Sequence, residues 1–519
     1  MSDPVEVAKG SSAAAWAKWA TVSLLLCGSF PGSSWGQSEV LHERWEALYL
    51  GDKKVGHGHI VQTKDGSGEF AMYRTEVTQS FTMIRNGDAV NLETISRFLE
   101  EPEQGKVMLF ETEQSQGQPG MRMAGRTEGD TIRLTINGKE ITIPYPKGAV
   151  GPYTADLAIR KRGFEPGTVV EVDVFNDRDP RKSAHYRNEV IRREVVDVAG
   201  KPSEAIRCDV RHSLFPDMNI VTWLDDKGFP LVVENPLGAM GTMRVVTCDK
   251  ELAMKPNDPP DLFAASAIVP SKPLKDVQRL RRATFQVTSQ NDAPVRLYSG
   301  DRQDVHSASP RVALVTVAVP GLIEKAALFQ SIPVQDQRWE QYMKATTYLQ
   351  SDDPRISKLG TEICGDEKNP VWIAKRIERV VFEKMQRRNL SKAFSTAAEV
   401  AETLEGDCTE HAVLAAAVAR SIGLPSRIVT GLAYLEPGRG TGLSTAADKG
   451  AFGFHMWAEV MVGPDIWWPV DAALGGFTAT HIAITKSAMD QIEPALELGS
   501  EILLMVGALQ IEVVATEYL

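Results

Sequence analysis

A cysteine near the end of the chain has the neighbours of a catalytic nucleophile. Gly406-Asp407 break one predicted helix, and a second helix begins at Cys408. A cysteine at a helix N-terminus faces unpaired backbone N–H groups and the positive end of the helix dipole, which favour the nucleophilic thiolate. The same N–H groups can bind a developing oxyanion. The sequence therefore predicts nucleophilic chemistry at Cys408.

His455 and Asp471 are the predicted partners of this thiol. Residues 453–462 alternate between apolar and other residues like a strand, and His455 lies within it. The next predicted strand, Ile466-Trp-Trp-Pro-Val-Asp471, ends in the carboxylate. Adjacent antiparallel strands can bring these two side chains together. His455 would then take the thiol proton, and Asp471 would fix the tautomer and orientation of the imidazole.

Helices and a strand must position Cys408, His455 and Asp471. Apolar residues recur at three- and four-residue spacing after Pro370, which predicts an amphipathic helix. Thr396 and Glu399 fit a capping box that opens the helix before Cys408. The Cys408 helix is predicted to continue through Ile422, and a strand follows it.

Four separated motifs resemble the bacterial transglutaminase-like family. The motifs are, in order, Gly406-Asp-Cys-Thr-Glu-His-Ala412, Ile422-Gly-Leu-Pro-Ser-Arg427 with Gly431, His455-Met-Trp-Ala-Glu-Val460 and Trp468-Pro-Val-Asp471. The family has a papain-like fold, in which a helix carrying the cysteine packs on a sheet carrying histidine and aspartate. The resemblance implies that Cys408 is the nucleophile, His455 the general base and acid, and Asp471 the orienting group. It implies no cofactor and no metal.

The resemblance also implies an acyl-transfer reaction. Cys408 would attack a carboxamide or peptide carbonyl of a protein or peptide substrate, form a thioester and release ammonia or an amine. An amine acceptor would make the protein a transglutaminase, whereas water would make it a cysteine peptidase or amidase. The alternative from another class is a non-catalytic cell-envelope scaffold whose large β domain binds a partner. The intact triad argues against a scaffold, which has no packing need for three polar groups.

The region before this domain alternates with period two, which is typical of antiparallel β structure. Residues 131–136 and 139–143 form the clearest predicted hairpin, because Asn137-Gly138 suits a type I′ turn. Residues 223–224 and 231–233 predict a second hairpin. His57 and His59 would share one strand face, but no acidic or cysteine partner at ligand spacing accompanies them, so no metal site is predicted.

Length and breaks in the sequence predict a multidomain α+β protein. A chain of 519 residues exceeds what one core usually supports, and Lys255-Pro-Asn-Asp-Pro-Pro260 offers a stiff linker. Strands are predicted at residues 295–298 and 312–317 of the small segment after it. The predicted division is a signal peptide (1–36), an antiparallel β-rich domain (37–254), a small β-rich segment (261–338) and a papain-like, transglutaminase-like α+β domain (339–519).

Composition and the N-terminus indicate an exported globular protein. A net charge of -11 argues against nucleic-acid partners, since phosphate binding needs a clustered positive surface. Lys9 and Lys18 precede an apolar run, and cleavage after Gly36 would satisfy the small-residue rule of a signal peptide. The protein is therefore predicted to be periplasmic, extracellular or associated with the cell envelope. An uncleaved anchor is the alternative, although the apolar run is shorter than the roughly 20 residues that span a bilayer.

Cysteine usage does not predict a disulfide scaffold. A mature chain would keep Cys208, Cys248, Cys364 and Cys408, too few for a protein of this length. Cys208 and Cys248 lie in neighbouring strand-like segments. Whether they pair is left open, because spacing alone does not establish disulfide geometry.

Overall fold

The computed structural model confirms a multidomain α+β protein with antiparallel sheets. It describes residues 38–68, 71–85, 88–115, 119–214, 218–237, 241–261, 267–290, 294–321, 323–385, 395–437, 450–490, 505 and 507–519. The predicted signal peptide lies outside these residues. In the part of the chain described, no helix is long and apolar enough to cross a membrane.

One large antiparallel sheet contains fourteen of the described strands. The strands are β1 Ser38–Leu50, β2 Lys53–Asp65, β3 Met72–Arg85, β4 Asp88–Glu100, β5 Val107–Ser115, β6 Pro119–Glu128, β7 Thr131–Ile136, β8 Lys139–Pro144, β9 Val169–Phe175, β10 Ser183–Val198, β11 Lys201–His212, β12 Ile220–Leu224, β13 Pro230–Pro236 and β14 Thr242–Cys248. Their order in the sheet is β8-β7-β6-β5-β4-β3-β2-β1-β14-β13-β12-β11-β10-β9. Two meanders therefore meet at the pair formed by β1 and β14.

Both predicted hairpins are confirmed. β7 pairs with β8, and the turn residues Asn137 and Gly138 have φ angles of 47° and 84°, as a type I′ turn requires. β12 pairs with β13. Cys208 and Cys248 do not pair, since both are free thiols on β11 and β14, which β12 and β13 separate.

A helix between β8 and β9 packs against the large sheet. α1, Pro152–Arg162, contacts β3, β4 and β9. Its N-terminus is capped from another strand, because the buried Glu100 carboxyl accepts hydrogen bonds from the Tyr153 and Thr154 N–H groups. Phe110 of β5 and Phe175 of β9 lie 5.0 Å apart between ring centroids. These contacts bring the β9 edge near the opposite half of the sheet, so the sheet curls.

The predicted site region combines helices with a four-stranded sheet. Its elements are α3 Pro354–Cys364, α4 Pro370–Lys384, α5 Ala397–Thr403, α6 Cys408–Ser421, β18 Ser426–Leu435, β19 Ala451–Gly463, β20 Ile466–Val470 and β21 Ile482–Ser487, with α2 Lys250–Ala253 lying earlier in the chain. The sheet order is β20-β19-β18-β21. The predicted Pro370 helix, capping box and Cys408 helix are confirmed. α6 is almost wholly buried, and its run of alanines allows close packing against β19.

A second four-stranded sheet lies beside the first. It contains β15 Leu280–Ser289, β16 Gln303–Ser309, β17 Val312–Ala318 and β22 Leu509–Tyr518, in the order β16-β17-β15-β22. The strand predicted at 312–317 is confirmed. The strand predicted at 295–298 is wrong, because Val295 N–H bonds to Pro310 while Tyr298 N–H bonds to Ala483, which leaves this segment without one partner strand.

Separate apolar clusters lie on the two sides of the predicted linker. Clusters of the large sheet involve residues up to 246, whereas the two largest clusters involve residues from 268 onward. The linker itself lies against β2, where Lys54 Nζ donates to Lys255 O at 2.9 Å and to Asn257 Oδ1 at 2.8 Å. The predicted domain division stays a prediction that proteolysis can test.

We expect a non-specific protease to make its first cut inside the described part of the chain at residues 255–260. Lys54→Met should accelerate this cut, because the substitution removes two hydrogen bonds that hold the linker against β2. The measurement is the cleavage rate and the fragment masses of the two proteins. First cleavage within the large sheet, or equal rates for both proteins, would contradict the prediction.

Candidate active site

Cys408 is the first residue of α6 and is partly exposed to solvent. Asp407 caps this helix, and its carboxylate accepts a hydrogen bond from the Thr409 N–H at 2.7 Å. The Glu410 carboxyl in turn accepts a hydrogen bond from the Asp407 N–H at 3.0 Å, which completes a capping box. The Cys408 N–H has no acceptor among the described residues and lies at the positive end of the helix.

The loop before Cys408 has a conformation that glycine supports. Gly406 has a φ angle of +149°, and a Cβ atom there would lie 2.3 Å from the Glu410 side chain. Glu410 is fully buried and also accepts a hydrogen bond from the Ser395 N–H at 2.9 Å. Burial raises the pKa of Glu410 to about 8, and the nearby Asp407 charge adds to this shift. His411 caps the same turn, with Nδ1 donating to Asp407 O at 2.6 Å.

His455 lies between Cys408 and Asp471. Its Nε2–H donates to Asp471 Oδ2 at 2.9 Å, and the imidazole interacts electrostatically with the Cys408 side chain. Burial alone would lower the pKa of His455. The charge of Asp471, together with the hydrogen bond to Asp471 and the interaction with Cys408, instead raises this pKa well above its ordinary value. The arrangement favours the imidazolium that forms when His455 takes a proton from the Cys408 thiol.

Asp471 follows β20 and has no exposure to solvent. Its Oδ2 accepts from His455 Nε2 at 2.9 Å and from His481 Nε2 at 2.8 Å. Its Oδ1 accepts from the Ala473 and Leu474 N–H groups at 2.9 and 3.1 Å. Burial alone would raise the pKa of Asp471, but the charge of His455 and the hydrogen bonds from His455 and His481 hold it well below its ordinary value. The carboxylate is therefore charged and fully hydrogen-bonded.

Glu378 on α4 is a site residue that the sequence prediction missed. Its Oε1 accepts a hydrogen bond from the Asp471 N–H at 2.8 Å, which fixes the main chain where β20 ends. Burial raises the pKa of Glu378 to about 7. A signal was present, since Glu378 lies on the apolar face of the helix beside Ala374 and Ile377. A carboxyl at such a position usually has a specific partner.

His481 is a second site residue that the sequence prediction did not assign. It is 2% exposed and packs edge-on against Trp457, with ring centroids 5.2 Å apart. It comes just before β21, whereas Asp471 follows β20, and these strands lie at opposite edges of the sheet. No strand periodicity links the two positions, so sequence spacing gave no signal for their contact.

A buried network of charges supports the strand that carries His455. Glu459, on the same strand, accepts from Arg427 Nε at 2.7 Å and from Lys486 Nζ at 2.9 Å. Both cations also bind Asp301 Oδ2, at 2.6 and 2.7 Å. Asp301 precedes β16. The network therefore connects the sheet of β15, β16, β17 and β22 to β18, β19 and β21 of the sheet that carries His455.

The structure brings all three predicted site residues together, and the chain around them has known relatives. Residues 357–472 match the family model of the transglutaminase-like superfamily. These residues form a transglutaminase-like domain. The matched region includes Cys408, His455 and Asp471 and ends one residue after Asp471. The matched region therefore ends before His481, and it does not include the large sheet.

One curated relative and two solved structures illustrate the similarity. An uncharacterized protein of Haemophilus influenzae is 26% identical over 184 residues, which cover 32% of this chain and 49% of that relative. The periplasmic domain of TgpA from Pseudomonas aeruginosa, bound to ethylmercury, is 16% identical, with 41% of this chain and 92% of that chain covered and a TM-score of 0.27. A β-barrel-like protein of the domain of unknown function DUF1849 from Brucella abortus is 13% identical, with 41% and 97% covered and a TM-score of 0.31.

Glu410→Gln should flatten the pH dependence of stability. The pKa of Glu410 in the folded state, about 8, exceeds its ordinary value of 4.5, so the folded state binds this proton more tightly than the unfolded state. The free energy of unfolding should therefore fall as pH rises from 4.5 to about 8. Glutamine cannot titrate, so this contribution should disappear.

Thermal unfolding measured by circular dichroism across this pH range tests the prediction. Glu402→Gln is the matched control, since Glu402 is an exposed glutamate one helix earlier. The stability of this variant should change with pH as that of the wild type does. If the stability of Glu410→Gln changes with pH as that of the wild type does, Glu410 does not bind the proton responsible for this pH dependence.

Proposed function

We propose that the transglutaminase-like domain is a cysteine-nucleophile enzyme that performs acyl transfer or hydrolysis on carboxamide or peptide bonds. The observation that carries this proposal is the grouping of the partly exposed Cys408 at the start of α6 with His455, whose Nε2–H donates to the buried carboxylate of Asp471 at 2.9 Å. A thiol, a base that contacts it and a group that orients the base are the parts that covalent acyl transfer needs.

The reaction follows from the positions of these groups. His455 takes the Cys408 proton, and the sulfur attacks the substrate carbonyl carbon to form a tetrahedral oxyanion. The free Cys408 N–H at the N-terminus of α6 donates a hydrogen bond to that oxyanion. The intermediate collapses when the carbon–nitrogen bond breaks and His455 returns its proton to the leaving ammonia or amine. A thioester on Cys408 remains, and water or a second amine attacks it with His455 again acting as base.

The acceptor decides between a transglutaminase and a peptidase or amidase. Cys408 is partly exposed, so a protein or peptide side chain can approach the thiol. Lys9 and Lys18, the apolar run after them and the small residues that follow support export to the periplasm, cell envelope or exterior. A non-catalytic scaffold is disfavoured, because burying the Asp471 charge is costly and serves no packing purpose.

Cys408→Ala should abolish turnover, whereas Cys364→Ala should retain it. Cys364 is a matched control, since it is also a free and partly exposed thiol of the same region. The assay follows ammonia release from a glutamine-containing peptide, with and without a primary alkylamine. Mass spectrometry then distinguishes the carboxylate product of hydrolysis from the amide product of transfer. Turnover that survives Cys408→Ala would refute the proposal.

Asp471→Asn should reduce turnover sharply while the fold remains intact. An amide cannot stabilise the imidazolium as a carboxylate does, and in serine triads the equivalent change costs roughly 10⁴ in turnover. The loss should be smaller here, because a thiol depends less than a hydroxyl on proton removal. Turnover and the rate of Cys408 alkylation are compared with those of His455→Ala, with circular dichroism as the folding control. Full turnover in Asp471→Asn would exclude Asp471 as the orienting group.

A further inference from the structure

Two imidazoles share one oxygen of Asp471. Oδ2 lies 2.9 Å from His455 Nε2 and 2.8 Å from His481 Nε2, and the planes of the two rings are 64° apart. The mechanism above uses only His455. His481 is therefore a second buried titratable group in direct contact with the orienting carboxylate, and it has no assigned role.

The tautomer of His481 follows from its other nitrogen. The Thr478 N–H donates to His481 Nδ1 at 3.1 Å, so Nδ1 serves as an acceptor. The Thr478 hydroxyl lies 3.2 Å from the same nitrogen and can donate to it as well. With Nδ1 accepting, the ring proton is on Nε2 and is donated to Asp471. The Thr478 carbonyl oxygen also lies 3.1 Å from Nδ1, but a doubly protonated ring is opposed because burial lowers the pKa of His481.

The same three side chains have the composition of a metal site. The candidate ligand atoms of His455, Asp471 and His481 all lie within 4.8 Å of one another. Each imidazole, however, directs an N–H group at the shared oxygen, whereas a metal would need the nitrogen lone pair. A metal on His455 would also remove the base that contacts Cys408. The geometry favours a hydrogen-bonding role for His481.

We propose that His481 is a positioning residue that acts through Asp471. Its Nε2–H holds Oδ2 in the orientation that receives His455, while the Ala473 and Leu474 N–H groups hold Oδ1. With both oxygens held, the carboxylate has no free rotation about its Cβ–Cγ bond. This inference rests on the proposed function, since the carboxylate matters only if His455 must be aligned with Cys408.

Removing the donor should lower the turnover number. His481→Phe keeps a ring against Trp457 and Phe477 but removes the N–H, so Oδ2 loses one of its two donors. A hydrogen bond to a charged group contributes about 1.5–3 kcal/mol, so we expect kcat to fall roughly 10- to 100-fold. KM should stay unchanged, because His481 does not contact the substrate.

His481→Gln provides the conservative rescue. Its side-chain amide can still donate to Asp471, so its kcat should lie near that of the wild type. A merely structural role for His481 predicts the opposite order, because phenylalanine preserves the buried ring packing better than glutamine does. If His481→Phe fails to fold, His481→Leu takes its place, with thermal unfolding as the check on each variant.

A double-mutant cycle decides whether His481 acts through Asp471. In the Asp471→Asn background, His481→Phe should cause little further loss of kcat, and the same should hold for the rate of Cys408 alkylation. Additive losses would overturn the proposal, as would full kcat in the folded His481→Phe protein. If the wild type has no turnover that depends on Cys408, the proposed function itself fails. Alkylation rates that show the same non-additivity would then still support the contact between His481 and Asp471.

Discussion

The buried charge of Asp471 is the constraint around which the site is arranged. Removing a carboxylate from water costs several kcal/mol even after the protein relaxes, unless opposite charge and hydrogen bonds compensate. Four donors meet its two oxygens, and a glutamate on α4 holds its backbone N–H. The donors come from β19, from the turn after β20 and from the approach to β21. The carboxylate can therefore be accommodated only when these elements have assembled correctly.

The thiol and the base are held by different kinds of structure. Cys408 depends on a local feature, the N-terminus of α6. Asp407 and Glu410 cap this terminus. His455 depends on distant residues, because Arg427 and Lys486 neutralise Glu459, four positions along its strand, and Asp301 binds both cations. Local capping explains why the nucleophile was evident in the sequence. Through the network around Glu459, the sheet of β15, β16, β17 and β22 helps to hold the strand that carries His455.

Most features encoded by local patterns were predicted correctly, whereas most contacts between residues far apart in the sequence were not. The Asn137-Gly138 hairpin, the capping box at Thr396 and the α6 terminus depend on neighbouring residues, and each is confirmed. His481 contacts Asp471 from the other edge of the sheet, so no periodicity relates them. The pairing of β15 with β22 joins residues more than two hundred positions apart, beyond the reach of any local rule.

The pairing of β15 with β22 has a consequence for the order in which parts of the fold are completed during synthesis. Leu509, Ile511 and Val513 of β22 share an apolar core with Phe452, which lies on the strand that carries His455. The ribosome releases residues 509–518 roughly fifty positions after that strand, at about 5–20 residues per second. The apolar core behind the His455 strand is therefore incomplete while Cys408 and His455 are already made. This core can close only after β22 has emerged and docked.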